Sequence, residues 1–413
     1  MPTAIELFAG VGGFRVGLNE VTFENDKVRE RERVKFVWAN QWEPSTKAQY
    51  AFDCYNKRFP STHNSNVDIS KVNKTLEIPD HTLLVGGFPC QDYSVARSLT
   101  NEKGIEGKKG VLWWQINEIL AAKNPSFVLL ENVDRLIKAP SKQRGRDFGI
   151  ILRCFLDNDY AVEYRVINAA DYGFPQRRKR TFIFAFRNTT QLYKKISHLN
   201  PDEVLKKAGV FPSAFPVTQE DIQVKSVDIS SKAFPSLLDL QNNFSFGFEN
   251  SGFMANGMIY TAKTTPVIEK ATPLKEIIEH DDVKKELFLS GKSIEKFNYL
   301  KGAKRILRTS KSGHQYYYSE GPIANPDNLD KPARTMLTSE GTINRSTHII
   351  DDPKTGKRRI LSAVECERIN QFPDNWTDTM PYKRRYFMMG NALVCGVIKR
   401  LGDVIIPIII KEK

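Results

Sequence analysis

The stretch Ala4-Ile5-Glu6-Leu7-Phe8-Ala9-Gly10-Val11-Gly12-Gly13-Phe14, residues 4–14, decides the fold that we expect. Its first half is a short apolar run typical of a buried β-strand, and its glycines form a turn before a helical pattern that ends at Leu18. Glycines at such a junction let a ligand approach the backbone at a helix N-terminus, where negative charge is favoured. The spacing does not match G-x-G-x-x-G, so the turn alone predicts a ligand site of unspecified type.

Short apolar runs and helical patterns continue to alternate along the first half of the chain. Further strands are predicted at residues 34–39, 83–85, 127–130, 164–167 and 181–186, with helical patterns at 111–121 and 148–155. This alternation predicts an α/β protein with a doubly wound parallel sheet.

The pattern changes after Arg187, where turns rich in Phe-Pro, Ser and Asn replace clear periodicity. Helical patterns return at residues 361–371 and 391–401. We therefore predict a first domain of residues 1–187, completed by residues 350–413, and a smaller second domain of residues 188–349.

The composition points to a polyanionic partner and a reducing compartment. The chain of 413 residues has a formal charge of +13, which suits binding to nucleic acid. Its five cysteines form no CxxC pair and its six histidines are dispersed, so we expect neither disulfides nor a metal site. Glu6 interrupts the first apolar run, so we do not expect a signal peptide there. The apolar tail 404–410 is too short to span a bilayer. We expect a monomeric cytoplasmic protein without membrane contact.

Polar residues follow the predicted strands at the edge of the sheet where ligands bind in this architecture. Gln41-Trp42-Glu43 follows the second strand, and Asn66-Val67-Asp68-Ile69 follows a turn-rich stretch. An acid after the second strand often binds ribose hydroxyls. Each acid taken alone also fits a solvated loop position, so these residues indicate a cofactor site only in combination.

The most informative stretch is Gly86-Gly87-Phe88-Pro89-Cys90-Gln91-Asp92-Tyr93-Ser94, where a cysteine follows a buried strand on a loop shaped by glycine and proline. A thiol presented in this way can become a nucleophilic thiolate. Glu131-Asn132-Val133 follows the next strand and points to the same crevice, where the acid could act on a substrate proton. The basic run, residues 176–180 with the sequence Gln-Arg-Arg-Lys-Arg, precedes a further strand.

These motifs, in this order, resemble those of the C5-cytosine-specific DNA methyltransferase family of bacterial restriction–modification systems. The residues that carry the resemblance are the glycine turn, the Pro-Cys-Gln loop, Glu-Asn-Val, the basic run and the late Gly390-Asn391-Ala392-Leu393-Val394. They cover residues 4–187 and 331–402. The resemblance implies a mixed doubly wound sheet of the Rossmann-like, S-adenosylmethionine-dependent type with a smaller target-recognition domain.

The resemblance also implies a site for S-adenosylmethionine, which becomes S-adenosylhomocysteine. Trp42 would stack on the adenine and Asp68 would bind its amino group. The family's glutamate before the tryptophan is Gln41 here, with Glu43 just beyond, and either of the two would hold the ribose. The residues implied for the cofactor are Phe8, Ala9, Gly10, Gly12, Gly13, Gln41, Trp42, Glu43, Asp68, Ile69, Pro89, Leu112, Asn391 and Ala392.

For the chemistry, the resemblance implies that Cys90 attacks carbon 6 of a flipped-out cytosine, with Glu131, Arg178 and Arg180 on the base. Attack at carbon 6 makes carbon 5 electron-rich, which is why a nucleophile is needed before methyl transfer. A cognate restriction endonuclease, acting separately, would be the partner enzyme.

Recognition of double-stranded DNA is expected from the second domain. Residues 301–318 interleave basic and aromatic side chains without an acid, as suits phosphate and base contacts. Thr335 lies where the family has a Thr-Leu pair near the flipped base. The residues implied for the substrate are Phe88, Pro89, Gln91, Ser94, Lys304, Arg305, Arg308 and Thr335.

Three other interpretations compete with this one. An RNA cytosine methyltransferase shares the catalytic motifs, but the long segment 188–330 favours DNA recognition. A DNA-binding protein without catalysis would not need the intact set of Cys90, Glu131 and arginines. A nucleotide-dependent oxidoreductase would leave the Pro-Cys-Gln loop unexplained.

Overall fold

The computed structural model describes residues 1–44, 46–88, 112–280, 283–310 and 313–412. Within these ranges, most strands belong to one ten-stranded sheet with the order β10-β12-β11-β8-β9-β7-β6-β1-β4-β5. In chain order the strands are β1 (Thr3–Leu7), β2 (Thr22–Glu24), β3 (Lys27–Arg29), β4 (Lys35–Asn40), β5 (Asn64–Ser65), β6 (Leu83–Gly87), β7 (Phe127–Val133), β8 (Tyr160–Asn168), β9 (Lys179–Arg187), β10 (Lys225–Asp228), β11 (Ser251–Ala255), β12 (Met258–Ala262), β13 (Lys304–Thr309), β14 (Gln315–Glu320), β15 (Ile349–Asp351) and β16 (Arg358–Ile360).

Helices connect these strands and cover the sheet. The α-helices of the described ranges are α1 (Gly13–Leu18), α2 (Tyr50–Arg58), α3 (Leu112–Lys123), α4 (Arg146–Asp157), α5 (Gln191–Ile196), α6 (Pro201–Glu203), α7 (Val210–Ala214), α8 (Leu237–Asn243), α9 (Gly291–Lys301), α10 (Ala363–Ile369), α11 (Tyr382–Asn391) and α12 (Cys395–Lys411). Within the same ranges, no helix is long and apolar enough to cross a bilayer.

The sheet is half parallel and half antiparallel. Strands β7, β6, β1, β4 and β5 pair in parallel, as expected for strands joined by helical crossovers. From β7 outward, β9, β8, β11, β12 and β10 pair in antiparallel fashion. The mixed, doubly wound α/β fold that the resemblance implied is therefore confirmed.

Two apolar cores lie on the two faces of the sheet. One contains α1 and the C-terminal helices α10–α12, and the other contains α3 and α4. Helix α12 packs directly on α1, where Gly17 leaves room for the partner backbone. A Cβ atom at Gly17 would lie 2.5 Å from the carbonyl oxygen of Cys395. The first and last segments of the described chain thus form one packed layer.

The sheet extends beyond the predicted boundary of the first domain. Strands β10–β12, which fall within the predicted second domain, pair with one another, and β11 pairs with β8 through Ser251 and Arg165. The boundary at residue 188 therefore lies inside the sheet, because β8 offers an edge that the later strands complete. What remains outside is the hairpin segment, residues 283–349, with helix α9 and the separate two-stranded ribbon β13–β14.

The C-terminal helical prediction also needs a correction. A helix was expected over residues 391–401, but α11 ends at Asn391 and α12 begins at Cys395. Ala392 has extended backbone angles, with φ −63° and ψ 153°, so the chain turns between the two helices. This break brings Leu393 to within 3.1 Å of a Cβ position at Gly13.

Candidate active site

An ion pair joins two of the predicted catalytic residues at one end of the sheet. The Nε atom of Arg180 lies 2.8 Å from Oε1 of Glu131, and both side chains are largely buried. Glu131 lies on β7 and Arg180 on the neighbouring antiparallel strand β9, so the hydrogen-bonded ladder fixes their separation. A carboxylate and a guanidinium held side by side can bond adjacent polar atoms of one planar base.

The third predicted catalytic residue, Cys90, lies outside the described residues, as do Pro89, Gln91 and Ser94. The strand that leads to them is described, and its last residue, Gly87, pairs with Glu131. A Cβ atom at Gly87 would lie 3.2 Å from Oε2 of Glu131, so glycine leaves this carboxylate uncrowded. The chain therefore enters the Cys90 loop directly beside Glu131.

Phe88 is placed in the core, although it was predicted to contact substrate. Its side chain is 3% exposed, and its ring centroid lies 5.8 Å from that of Trp113. Its carbonyl oxygen accepts a hydrogen bond of 2.8 Å from Nδ2 of Asn132. Phe88 thus anchors the base of the Cys90 loop to β7.

Arg178 was predicted to lie on the base, but its guanidinium is buried and bonded to backbone. It donates to the carbonyl oxygens of Met336 at 2.9 Å and Gly390 at 3.0 Å. Burial, followed by the nearby charge of Arg180, lowers the pKa of Arg178 to about 9. We therefore assign Arg178 a positioning role that joins β9 to two distant segments.

Gln176 works beside Arg178 in the same buried layer. Its Oε1 atom accepts from the backbone amide of Met336 at 3.0 Å, and its Nε2 atom donates to Oδ1 of Asn370 at 2.8 Å. Asn370 in turn donates to the carbonyl oxygen of Met389 at 2.8 Å. These amides fasten the end of the hairpin segment to helices α10 and α11.

The glycine loop, residues Phe8 to Gly13, lies between β1 and α1. Gly10 has φ +55°, and nothing in the described chain lies within 4 Å of a Cβ position there. The Oε1 atom of Gln41 accepts from the backbone amide of Gly10 at 2.8 Å. The loop therefore presents open backbone beside the side chain of Gln41, a cradle that a ligand can enter.

Gln41 and Glu43, the two alternatives for the ribose, differ in their contacts. The carboxylate of Glu43 accepts from the backbone amide of Ala51 at 3.2 Å, near the start of α2. The Nε2 atom of Gln41, a donor beside Gly10, has no hydrogen bond with any residue in the described ranges. Of the two, Gln41 is the side chain directed at the glycine loop.

The other predicted cofactor residues surround the same edge of the sheet. Trp42 is 39% exposed, which leaves an indole face available for stacking. Oδ1 of Asp68 accepts from the amide and the hydroxyl of Ser70. Its second oxygen, Oδ2, carries no hydrogen bond within the described chain. Ile69 is buried beneath it, and Leu112 begins helix α3.

Asn391 and Ala392 lie at the turn between α11 and α12, next to the glycine loop. Asn391 is exposed, and the adjacent Leu393 packs against Gly13. The late Gly-Asn-Ala motif therefore lies beside the glycine loop.

Two residues that shape the glycine loop were missed in the sequence analysis. Glu6 is fully buried below the loop, where it accepts from the amide of Phe14 and the hydroxyl of Tyr55, both at 3.2 Å. Trp376 donates from Nε1 to the carbonyl oxygen of Val11 at 2.8 Å. A charged residue inside the apolar run 4–9 was the available signal for Glu6, whereas nothing local marked Trp376.

The predicted DNA-reading residues lie on the ribbon β13–β14. Arg305 and Arg308 are three residues apart and so lie on opposite faces. The guanidinium carbon of Arg305 is 4.3 Å from the ring centroid of Tyr317, and that of Arg308 is 3.9 Å from that of Tyr318. Lys304 lies 4.6 Å from the ring of Tyr299.

Thr335 lies apart from the ribbon, beside the basic run. Its hydroxyl donates to the carbonyl oxygen of Arg177, whose amide donates to the carbonyl oxygen of Ala333 at 2.8 Å. Thr335 thus fastens the basic run to the end of the hairpin segment. Within the described ranges, no group of three or more His, Cys, Asp or Glu side chains could hold a metal ion.

The chain is similar to known proteins along nearly its whole length. A family model described as C-5 cytosine-specific DNA methylase matches residues 3–407. The chain is 50% identical over 400 residues to the Type II methyltransferase M.Sau3AI of Staphylococcus aureus, which covers 97% of this chain and 94% of that protein. It is 34% identical over 184 residues to M.HhaI of Haemophilus parahaemolyticus, covering 45% and 49% of the two chains.

A solved structure shows the same fold at low sequence identity. The S. pombe Dnmt2 methyltransferase superposes with a TM-score of 0.59 at 13% identity, covering 98% of this chain and 99% of that one. The protein described here belongs to the C-5 cytosine-specific DNA methylase family. It is a DNA (cytosine-5-)-methyltransferase.

The buried Glu6 carboxyl predicts a pH-dependent stability. Burial raises the pKa of Glu6 from 4.5 to about 8, against the opposing charge of Arg15. The folded state therefore retains a proton that the unfolded chain releases above pH 4.5. The contribution of Glu6 to the free energy of unfolding is complete below that pH and is lost as the pH rises towards 8. Glu6→Gln cannot ionise, and we expect a flatter profile of unfolding free energy across this window.

Urea denaturation of both proteins at several pH values measures this difference. Groups that face Glu6, such as Arg15, Tyr55 and Cys395, are common to both proteins and cancel in the comparison. Parallel profiles for the wild type and the variant between pH 5 and 8 would show that Glu6 keeps its ordinary pKa.

Proposed function

We propose that this enzyme transfers a methyl group from S-adenosylmethionine to carbon 5 of a cytosine flipped out of duplex DNA, through a covalent bond from Cys90. The observation that carries the proposal is the Glu131–Arg180 ion pair beside Gly87, where the chain enters the Cys90 loop. Membership of a methylase family, together with its Type II relatives, supports a role in protecting host DNA within a restriction–modification system.

The residues of the chain have distinct tasks in this reaction. The thiolate of Cys90 forms a bond to carbon 6, and electron density moves into the ring towards carbon 5 and N3. Glu131 in its protonated form donates a hydrogen bond to N3 as negative charge develops there, and Arg180 bonds the base oxygen while holding Glu131 in place. Carbon 5, now electron-rich, takes up the methyl group, and release of its proton to a base then allows the bond to Cys90 to break.

The glycine loop and its neighbours suit the methyl donor. S-adenosylmethionine supplies the electrophilic methyl group. The open backbone at Gly10 fits a close-approaching ligand, and the free Nε2 of Gln41 fits a ribose hydroxyl. Trp42 and Asp68 would receive the adenine, and Asn391 and Ala392 would close the site from the C-terminal side.

Flipping the base out of the stack requires that the protein hold the DNA, since extrusion costs a few kcal/mol. We assign this task to the hairpin segment, whose ribbon β13–β14 is exposed on both faces. Leu307 and Tyr317 are more than half exposed, and an isolated two-stranded ribbon is at best marginally stable in water. The width of the DNA major groove, about 12 Å, admits such a ribbon.

The nucleophile is tested by substitution and trapping. Cys90→Ser should abolish methylation while S-adenosylmethionine still binds, because serine is of similar size but is scarcely ionised at neutral pH. The wild type should form a denaturation-stable complex with duplex DNA carrying 5-fluorocytosine at the target, since fluorine cannot leave as a proton does. Gel electrophoresis after incubation with S-adenosylmethionine measures the complex.

The trap needs two controls. Cys90→Ser should give no complex, and an RNA duplex of the same sequence should give none with either protein. Near-normal methylation by Cys90→Ser would contradict the assignment of the nucleophile, and trapping on RNA alone would favour an RNA methyltransferase.

The choice between Gln41 and Glu43 gives a second prediction. Gln41→Ala should weaken binding of S-adenosylmethionine by about 1 kcal/mol, roughly five-fold in Kd, since it removes one hydrogen bond to the ligand. Glu43→Gln should leave the affinity near that of the wild type, because Glu43 is engaged with α2. Titration calorimetry with both variants checks this, and the opposite order of effects would assign the ribose to Glu43.

The ribbon gives a third prediction. If Arg305 or Arg308 reads a base edge, its replacement by alanine should cost about 1–3 kcal/mol on the specific site and little on other sequences. Affinity for S-adenosylmethionine should stay unchanged, since the methyl donor binds in the sheet. Once sequencing of methylated DNA has given the recognition site, binding isotherms on specific and scrambled duplexes measure the effect. Wild-type binding by both alanine variants would show that the ribbon does not contact DNA.

A further inference from the structure

The basic run divides between buried and exposed side chains. Gln176 and Arg178 are buried and bonded to the segments around Met336 and Gly390. Arg180 is paired with Glu131. Arg177 and Lys179 are exposed and are engaged in none of these contacts. The run thus carries two cations that neither the fold nor the proposed reaction requires.

These two cations share a cleft with Arg180, the cationic member of the ion pair with Glu131. The cleft has a volume of about 470 Å³ and is lined by Asp134, Asn168, Arg177, Lys179, Arg180 and Thr335. It contains three cations and a single carboxylate. In the described part of the chain, neither Arg177 nor Lys179 forms an ion pair, and both side chains are exposed.

The backbone that carries the two cations is held on both sides. Lys179 pairs with Asn168 on β8, and the amide of Arg177 donates to Ala333 on the other side. The hydroxyl of Thr335 donates to the carbonyl oxygen of Arg177, so that hydrogen is already used and is not offered to a ligand. Arg177 and Lys179 therefore project from backbone that is held in place on both sides, as a preformed binding site requires.

A phosphodiester is the ligand that fits this arrangement. Two cations that form no ion pair within the described residues, carried on fixed backbone, suit an anion with several acceptor oxygens. A nucleotide whose base lies against Glu131 and Arg180 remains covalently joined to a phosphate on each side. Because Arg180 also lines the cleft, these two phosphates are the anions that can reach it. Such contacts position nucleic acid without reading its sequence.

We propose that Arg177 and Lys179 form a binding site for the phosphodiesters that flank the target cytosine. This site holds the backbone of the extruded nucleotide while its base lies against Glu131. The inference rests on the proposed function, because it takes the base position from that reaction. It adds a subsite on the catalytic sheet, separate from the ribbon β13–β14.

Binding measurements on duplexes with the mapped recognition site test this inference. At about 0.1 M salt, Arg177→Ala and Lys179→Ala should each weaken binding to the specific duplex by roughly five- to ten-fold. The loss on a scrambled duplex should be smaller, because no nucleotide is extruded there. Each should also lower the slope of log K against log salt by about one. Arg177→Lys keeps the charge and should keep the slope of the wild type.

The location of the contact is tested by neutralising single phosphates. A methylphosphonate on the 5′ or the 3′ side of the target cytosine should abolish most of the loss caused by Arg177→Ala or Lys179→Ala, because the two changes remove the same interaction. A methylphosphonate five nucleotides away should leave that loss unchanged. If the loss persists in full with both flanking replacements, the cations meet other phosphates and the proposed location is wrong.

A matched control lies at the opposite end of the same strand. Lys194 is exposed on α5, which follows the far end of β9, and Lys194→Ala should bind DNA with the slope of the wild type. A wild-type slope for the double variant Arg177→Ala/Lys179→Ala would reduce the run to a solvated basic turn and overturn the proposal. The assignment to DNA would be overturned if the wild type bound an RNA duplex more tightly than DNA and the alanine variants lost as much affinity for that RNA as for DNA.

Failure of this inference can be distinguished from failure of the proposed function. The binding assays contain S-adenosylhomocysteine and require no turnover, so they report on the cations alone. Mass spectrometry of the cytosine product reports separately on methyl transfer. Wild-type protein that shows the expected binding pattern but no 5-methylcytosine would count against the reaction and in favour of the phosphate site.

Discussion

The hydrogen bonds of the buried Arg178 guanidinium hold the region assigned to DNA in place relative to the glycine loop. A cation removed from water must be compensated by acceptors, and the acceptors here are the carbonyl oxygens of Met336 and Gly390. Met336 lies within the hairpin segment, and Gly390 precedes the turn that packs on Gly13. Together with Gln176, this side chain therefore joins the region assigned to DNA, the strand that carries Arg180 and the glycine loop.

The glycine loop is held from three directions before any ligand arrives. Glu6 supports it from below, Gln41 bonds it from the neighbouring strand, and Trp376 holds Val11 from the C-terminal helices. Gly12 has φ +90°, a backbone conformation that residues other than glycine rarely adopt. Such a loop loses little conformational entropy on binding, because its backbone is already ordered.

The sequence was sufficient for the parts of the structure that are encoded locally. Strands β1, β4, β6 and β7 contain apolar runs that are followed by glycine or polar residues, so their positions along the chain and the crevice at their ends could be predicted. The partners of Arg178 could not, because they lie 158 and 212 residues away and are backbone atoms that no motif specifies. Strands β10–β12 were missed for a related reason, since their burial depends on the edge that β8 provides.

The packing of α12 on α1 makes the completion of the glycine loop a late event in folding. The hydrogen bond from Trp376 to Val11 spans 365 residues, so the glycine loop leaves the ribosome long before the helices that support it. Domains fold as their residues emerge, and contacts of such long range form last. Until then the apolar face of α1 stays uncovered, which exposes an unfinished chain to chaperones and proteases. We therefore expect the glycine loop to reach its ordered form only after Trp376 and α12 have been synthesised.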